Sequence, residues 1–422
     1  MSLRSWTPRR VRAVAATAAV VTALVMTALS APGAAAQAPA PGPAPAPAPI
    51  GSWPVELVPD GDDAGVRTEN GMLQIDPATA APGASTGSAR AQGTLVTARR
   101  YLDTAVDRVF AEVSAELPPG TDVLVDIRGL LDDERWTEWI PVEPGRPVDL
   151  GTAVRRVQGR LVLLAGDDGA SPAVRSLRFT PVPGVHLDPL PLPPPRVTDT
   201  FRVFATREGL VGGTTANGHV IRTRDHFAAL PSRRGLAPRG TGDYTVKVCA
   251  DNGRCEWAPV WDVGPWNTTD DYWNDSALRQ SWRDLVQGLP QAQAAFQTGY
   301  NGGLDQFGRR VANPAGIDLA DGTFWDGLGL LDNAWVNVSY LWTFPGPVAT
   351  VRTGMLNVRT GPARENAVVG LAAEHARLVV ECTVAGQLVT GSQGTTDLWL
   401  RVGPNQFVSA AHVALQPGAT PC

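Results

Sequence analysis

The chain has little with which to hold a metal or attack a carbonyl. Its 422 residues include five histidines and four cysteines, with neither a Cys-x-x-Cys nor a His-Glu-x-x-His spacing, so no metal centre is expected. No Cys/His or Ser/His/Asp set with recognisable spacing occurs either, which removes the usual constellations of nucleophilic catalysis. Positive charge is also short: 36 Lys and Arg stand against 41 Asp and Glu. Arg4, Arg9, Arg10 and Arg12 sit at the extreme N-terminus. Without these four the formal charge moves from −5 to −9, and no electrostatic footprint for nucleic acid or an anionic membrane remains. No cofactor is implied.

Those four arginines, the apolar run Ala13–Leu29 and the small residues Ala34-Ala35-Ala36 before Gln37 read as a signal peptide over residues 1–36. An uncleaved membrane anchor is the alternative; the run is short for one and ends in Ala and Pro instead of a charge cluster. The mature protein is therefore expected to be secreted, extracellular or wall-associated, monomeric and not inserted in a membrane. In an oxidising compartment, Cys249 with Cys255 and Cys382 with Cys422 read as two local disulfides, one closing a hairpin and one tying down the C-terminus. Residues 37–50 alternate Ala and Pro, a composition that favours an extended spacer and cannot bury a core.

Residues 51–185 read as an all-β domain. Val123–Arg128, Val157–Leu163 and Val174–Phe179 carry β-branched residues, partly at period two, between Gly, Asp and Pro turns, a pattern that fits a β-sandwich. Trp136-Thr137-Glu138-Trp139 before the strand at Val157 resembles the galactose-binding-like jelly rolls of secreted enzymes. Its two tryptophans either stack on sugar or pack in the sandwich. A second proline-rich strut, residues 186–195, marks the next boundary.

The domain from residue 196 to 342 is organised around two stretches, Val260-Trp261-Asp262-Val263-Gly264-Pro265-Trp266 and Gly316-Ile317-Asp318-Leu319-Ala320. Each sets one carboxylate at the end of a short apolar run that reads as a buried strand. Two acids over one cavity suffice for general acid/base work on a glycosidic bond, or for gripping sugar hydroxyls without cleavage. Between Trp261 and Trp266, Asp262 is expected against apolar surface, which raises a carboxyl pKa; the alternative is that it caps the Gly264-Pro265 turn. Asp318 has its own alternative, the N-cap of a helix beginning at Leu319-Ala320. His219 and His226 are either structural or in contact with substrate.

Ala205-Thr206, Gly209, Gly212-Gly213, Thr215-Ala216-Asn217-Gly218 and Ala229-Leu230-Pro231, followed by the two acid stretches, come in an order that resembles the six-stranded double-psi β-barrel of the rare lipoprotein A family and the expansins. The resemblance implies a groove for β-1,4-linked glycan, peptidoglycan foremost, with Asp262 as candidate proton donor, Asp318 beside it and Thr206 positioning it. Asn217, His219, Trp261 and Trp266 are the expected substrate-binding residues. Some relatives of this kind cleave glycan as lytic transglycosylases, while expansins loosen it. Over fifty residues separate Asp262 from Asp318, more than such barrels need. Tyr272-Trp273, Trp282, Phe296, Tyr300 and Phe307 in this insertion form either a lid or a satellite core. Its stretch from Asp284 to Phe296 reads as partly helical, broken at Gly288-Leu289-Pro290.

Residues 348–422 open on Leu356-Asn357-Val358-Arg359-Thr360-Gly361-Pro362, which resembles the start of a bacterial SH3-type barrel, a module that commonly binds wall peptides or glycans. Asn357 and Arg359 there either fix the first turn or contact ligand. The expected protein is mainly β: a sandwich, a double-psi barrel with a helical insertion, and a small SH3-like barrel. The leading expectation is wall binding, with the barrel and the last module gaining avidity from their linkage. A lytic enzyme using Asp262 and a protein-binding or inhibitory module are the alternatives.

Overall fold

The three β-branched stretches form the strands Asp122–Leu130, Val148–Leu164 and Ala173–Val182. They belong to a computed structural model that describes residues 51–80, 90–182 and 200–422; the signal segment, the Ala/Pro spacer and the second proline-rich strut lie outside the described residues. Nine strands of the first part join in one continuous sheet and share a core that includes Trp53, Leu73, Val109, Ile127, Leu161 and Phe179. Two strands of 17 residues, Arg100–Glu116 and Val148–Leu164, carry this continuity by changing partners along their length. The first half of Val148–Leu164 alternates between buried and exposed residues, whereas its second half is almost wholly buried. That half has the domain core on one face and the neighbouring barrel on the other, so alternation disappears.

Trp136-Thr137-Glu138-Trp139 turns out to be the joint between these two parts. Both tryptophans are buried, at 3% and 0% exposure, and neither presents a face to solvent. The Arg128 guanidinium lies 4.1 Å from the Trp136 ring and 4.2 Å from the Trp139 ring, and it also reaches Asp243 at 2.9 Å. The Trp139 indole N–H donates to the Leu236 carbonyl at 3.0 Å. Glu138 accepts the indole N–H groups of Trp273 and Trp342 at 2.6 and 2.9 Å. Every buried polar group in this joint that these contacts involve is thus satisfied by a partner across it, as burial requires.

Six strands close into a barrel. In ring order they are Ala228–Leu230, Ala315–Leu319, Thr200–Arg207, Ala334–Tyr340, Thr245–Ala250 and Cys255–Val263, the last pairing back to the first. Two of the contacts are parallel, Thr200–Arg207 with Ala315–Leu319 and Ala228–Leu230 with Cys255–Val263, and the rest antiparallel. Closure leaves no free edge. The insertion is mostly turns; its one α-helix, Gln291–Thr298, begins directly after Pro290, and Asp284–Leu289 is not helical. Its aromatics divide. Tyr272 and Trp273 are fully buried in the barrel core, Trp273 stacked on Tyr340 at 5.1 Å, while Phe296 and Phe307 are about half exposed, at 51% and 50%.

Cys255–Val263 also runs parallel to Val368–Ala373 of the last part, so the barrel sheet continues into residues 348–422. The approach is close: a Cβ on Gly370 would stand 2.2 Å from the Cys255 carbonyl oxygen. A meander of Val368–Ala373, Met355–Arg359, Gln406–Ser409, Gly394–Gly403 and Cys382–Gly391, with a separate three-stranded sheet, encloses a core of Val358, Leu378, Leu400 and Val408. Both expected disulfides are formed, Cys249–Cys255 across a hairpin and Cys382–Cys422 at the C-terminus. Such bonds persist in oxidising surroundings. No helix among the described residues is long and apolar enough to cross a membrane.

If Trp139 is the keystone of the joint, Trp139→Ala should lower unfolding stability by about 3–5 kcal/mol through lost packing and a vacated cavity. Urea unfolding measures this; a loss under about 1 kcal/mol, the size of an ordinary surface change, would contradict the assignment.

Candidate functional site

The barrel register places four residues in one row. Thr206 is aligned with Asp318, Asp318 with Ala229, and Ala229 with Asp262. Neighbouring strands lie about 4.8 Å apart, so the two aspartates stand roughly 10 Å apart at the backbone, with only the Ala229 methyl between them on that face. Asp318 lies within a strand, one residue before its end, and does not cap a helix; the helical turn that follows begins at Asp321. Its Oδ1 accepts the Thr206 hydroxyl. Asp262 is fully buried. One of its oxygens, Oδ1, accepts the Ala216 N–H at 2.7 Å and the Val263 N–H at 2.8 Å, so it fastens the hairpin containing residues 214–220 instead of the Gly264-Pro265 turn.

A third acid joins them. The Glu208 N–H donates to the Leu319 carbonyl at 2.9 Å, which extends the Thr206–Asp318 ladder past the end of the strand. Two residues beyond Thr206, Glu208 falls on the same face. Its side chain is only half-buried, but both carboxyl oxygens are shut off from solvent, and the hydrogen-bonding group beside them is another acid, Asp262. Burial, then the charges of Asp262 and Asp318, hold its pKa well above the usual carboxylate range. Asp318 is pushed up to about 7 by burial and by the Asp262 charge, against the Thr206 hydroxyl, which favours the ionised form. Asp321, ion-paired with Arg207 at 2.6 Å, adds a smaller effect that raises Glu208 further.

Arg233 interacts electrostatically with Asp262. Burial and the Arg160 charge bring its pKa down to about 10, while Asp126 and Asp262 act in the opposite sense. Its Nη1 is sealed and without an acceptor, and its Nη2 donates to Gln92 at 3.1 Å. The row therefore holds protons at neutral pH because too little positive charge reaches it. Chemically it is a set of protonated and ionised carboxyls in one dry space, which can donate and accept hydrogen bonds or trade a proton.

The expected binding residues lie elsewhere or are already engaged. Asn217 donates to the Ala237 carbonyl at 3.0 Å and accepts the Thr215 hydroxyl at 2.7 Å. His219 bonds Asp225 at 2.6 Å and packs on Trp261 at 4.9 Å. Trp261, adjacent to Asp262 in a strand and so on its opposite face, stacks on Phe227 and donates to the Thr241 carbonyl. Trp266 donates to Asn313 at 3.0 Å within the insertion. His226 bonds Glu256 at 3.0 Å, and the Thr323 hydroxyl donates to the same oxygen. Glu208 and Arg233 were not singled out in the sequence; the period-two spacing Thr206-x-Glu208 is the signal that points to the first.

Among the described residues, one set of three acids has ligand atoms mutually within 4.8 Å: Asp60, Asp62 and Asp63. Oxygens of Asp60 and Asp63 accept backbone N–H groups of the same loop and of Val96, and the Asp62 carboxyl is hydrogen-bonded to that of Asp60.

The acid row sets a pH dependence. An unfolded Asp318 releases its proton near the usual carboxylate value, whereas the folded one keeps it to about pH 7. This contribution to stability is fully present below about pH 4 and is lost as pH rises to 7. Asp318→Asn should therefore unfold at higher urea than wild type at pH 7.5, by on the order of a few kcal/mol, and match it at pH 4. An equal effect of the substitution at both pH values would rule out a raised Asp318 pKa.

Residues 199–339 match the model of a domain of unknown function, DUF8814, a span that takes in the barrel and its insertion. No curated protein matches the chain.

Proposed function

We propose that this is a secreted protein that binds wall polysaccharide, peptidoglycan foremost, without cleaving it. The observation that carries the reading is the enclosure of Asp262. A general acid must come within about 2.6–3.2 Å of the glycosidic oxygen, and Asp262 is fully buried with Oδ1 committed to two backbone amides. The resemblance of the barrel to rare lipoprotein A and the expansins supports a glycan as ligand. That of residues 348–422 to SH3-type modules supports the wall as target, and the leader-like N-terminus and two disulfides support export.

Lytic cleavage is the second reading, favoured by the pKa of about 7 at Asp318 beside Asp262, which suits a general acid at neutral pH. A movement of the 214–220 hairpin, whose Ala216 amide holds Asp262, would open that pair to a substrate.

Sedimentation of residues 37–422 with purified peptidoglycan, followed by mass spectrometry of the supernatant, separates the two. The binding reading expects wild type, Asp262→Asn and Asp318→Asn all to pellet with the wall and to release no muropeptides. Anhydro-muropeptides from wild type that vanish in Asp318→Asn would establish the lytic reading. A protein that stays in the supernatant would overturn both and direct attention to protein partners.

A further inference from the structure

The last part of the chain contains a cavity of about 220 Å³ whose charged lining is entirely basic: Arg359, Arg364 and His412. No acidic side chain lines it. The arrangement is built by the strand Met355–Arg359 and the turn after it. Val358 is fully buried in the module core, so period two turns Asn357 and Arg359 to the other face. Arg359 spends one N–H on the Asn366 carbonyl at 2.9 Å, which fixes the fork and leaves the rest of it available. Arg364 is exposed, and its only hydrogen bond among the described residues comes from its backbone N–H, to Gln387.

His412 closes the third side. Its ring rests on Gly391, where a Cβ would stand 2.5 Å from Cε1, and its Nδ1 is buried without a partner. Burial and then the Arg364 charge lower its pKa. The two guanidinium groups share this space with no acidic side chain lining it, and an anion between them relieves their repulsion while the neutral His412 ring offers a hydrogen-bonding nitrogen. Val389 and Trp399 add an apolar wall beside the cations.

We propose that this cavity binds a small carboxylate bearing an apolar substituent, such as the C-terminal carboxylate of a peptide ending in a small residue. Two guanidinium forks suit the planar, bidentate acceptor that a carboxylate offers. The apolar wall takes the adjoining methyl group, and the volume admits a single residue. This site is independent of whether the barrel holds glycan.

The probe is N-acetylalanine, added to the isotope-labelled protein and followed by NMR at the Asn357 side-chain amide and the Nε–H groups of Arg359 and Arg364. Saturable shifts at all three are expected, with Arg364→Ala weakening binding about tenfold or more while Arg352→Ala, which changes an exposed arginine outside the cavity, leaves it within twofold. N-acetylalaninamide, which lacks the carboxylate, should not shift these signals. Equal binding of the amide, equal loss in the two arginine variants, or saturation by inorganic phosphate but not by N-acetylalanine would each overturn the proposal. Unchanged amide spectra of both variants away from the cavity exclude misfolding as the cause.

Discussion

The barrel closes through a strand of only three residues, Ala228–Leu230, and that closure decides where the acids sit. A strand so short has one register that pairs on both sides at once, parallel to Cys255–Val263 and antiparallel to Ala315–Leu319. Ala229 is the shared partner of Asp262 and Asp318. A slip of this strand by one residue would break the alignment of Ala229 with Asp262 and Asp318 and turn Ala228 and Leu230 away from the positions in which they are buried. Packing of the barrel interior thus enforces the proximity of groups that repel each other.

Burying carboxyls with little compensating charge works against folding, and the structure offsets it in several ways. Thr206 donates to Asp318, two amides donate to Asp262, and Arg207 pairs with Asp321. Glu208 has none of these aids and keeps its proton, its pKa held well above the usual carboxylate range. The surroundings are rigid enough to impose this. On one side the barrel shares the Arg128, Glu138 and Trp139 joint with the first sheet, and on the other its longest strand continues into the last module past Gly370. An acid cluster retained against its own cost in so well-braced a setting is the kind of place where function is sought, although enclosure separates it from substrate in this conformation.

Much of this was legible from residue order. The two disulfides followed from close or terminal spacing, and the aspartates from apolar runs ended by Gly, Pro or Ala. Other features were hidden for identifiable reasons. The Trp136–Trp139 segment carries no mark of what packs on it, because its partners Leu236, Trp273 and Trp342 are remote in sequence. Glu208 lies beyond the last strand residue, where alternation is not usually followed. The break expected at Gly288-Leu289-Pro290 is there, but only the side after it, Gln291–Thr298, is helical. Tyr272 and Trp273, for which a lid and a satellite core were both open, enter the barrel core; an aromatic says nothing of which core it joins. Asn217, His219, Trp261 and Trp266 were drawn together by nearness in sequence to the barrel motifs, whereas strand alternation and local hydrogen bonds send their side chains to other tasks.

The enclosed, proton-sharing acid row is the feature on which the functional reading turns, and carbon-detected NMR titration of the aspartate and glutamate carboxyls reports on it directly. The account predicts that Asp318 titrates near pH 7 and Glu208 well above the usual carboxylate range, in the folded protein with no ligand added. Titration of both groups near pH 4, as for solvated carboxylates, would contradict it, because the row would then be open to water and its acids ionised and independent.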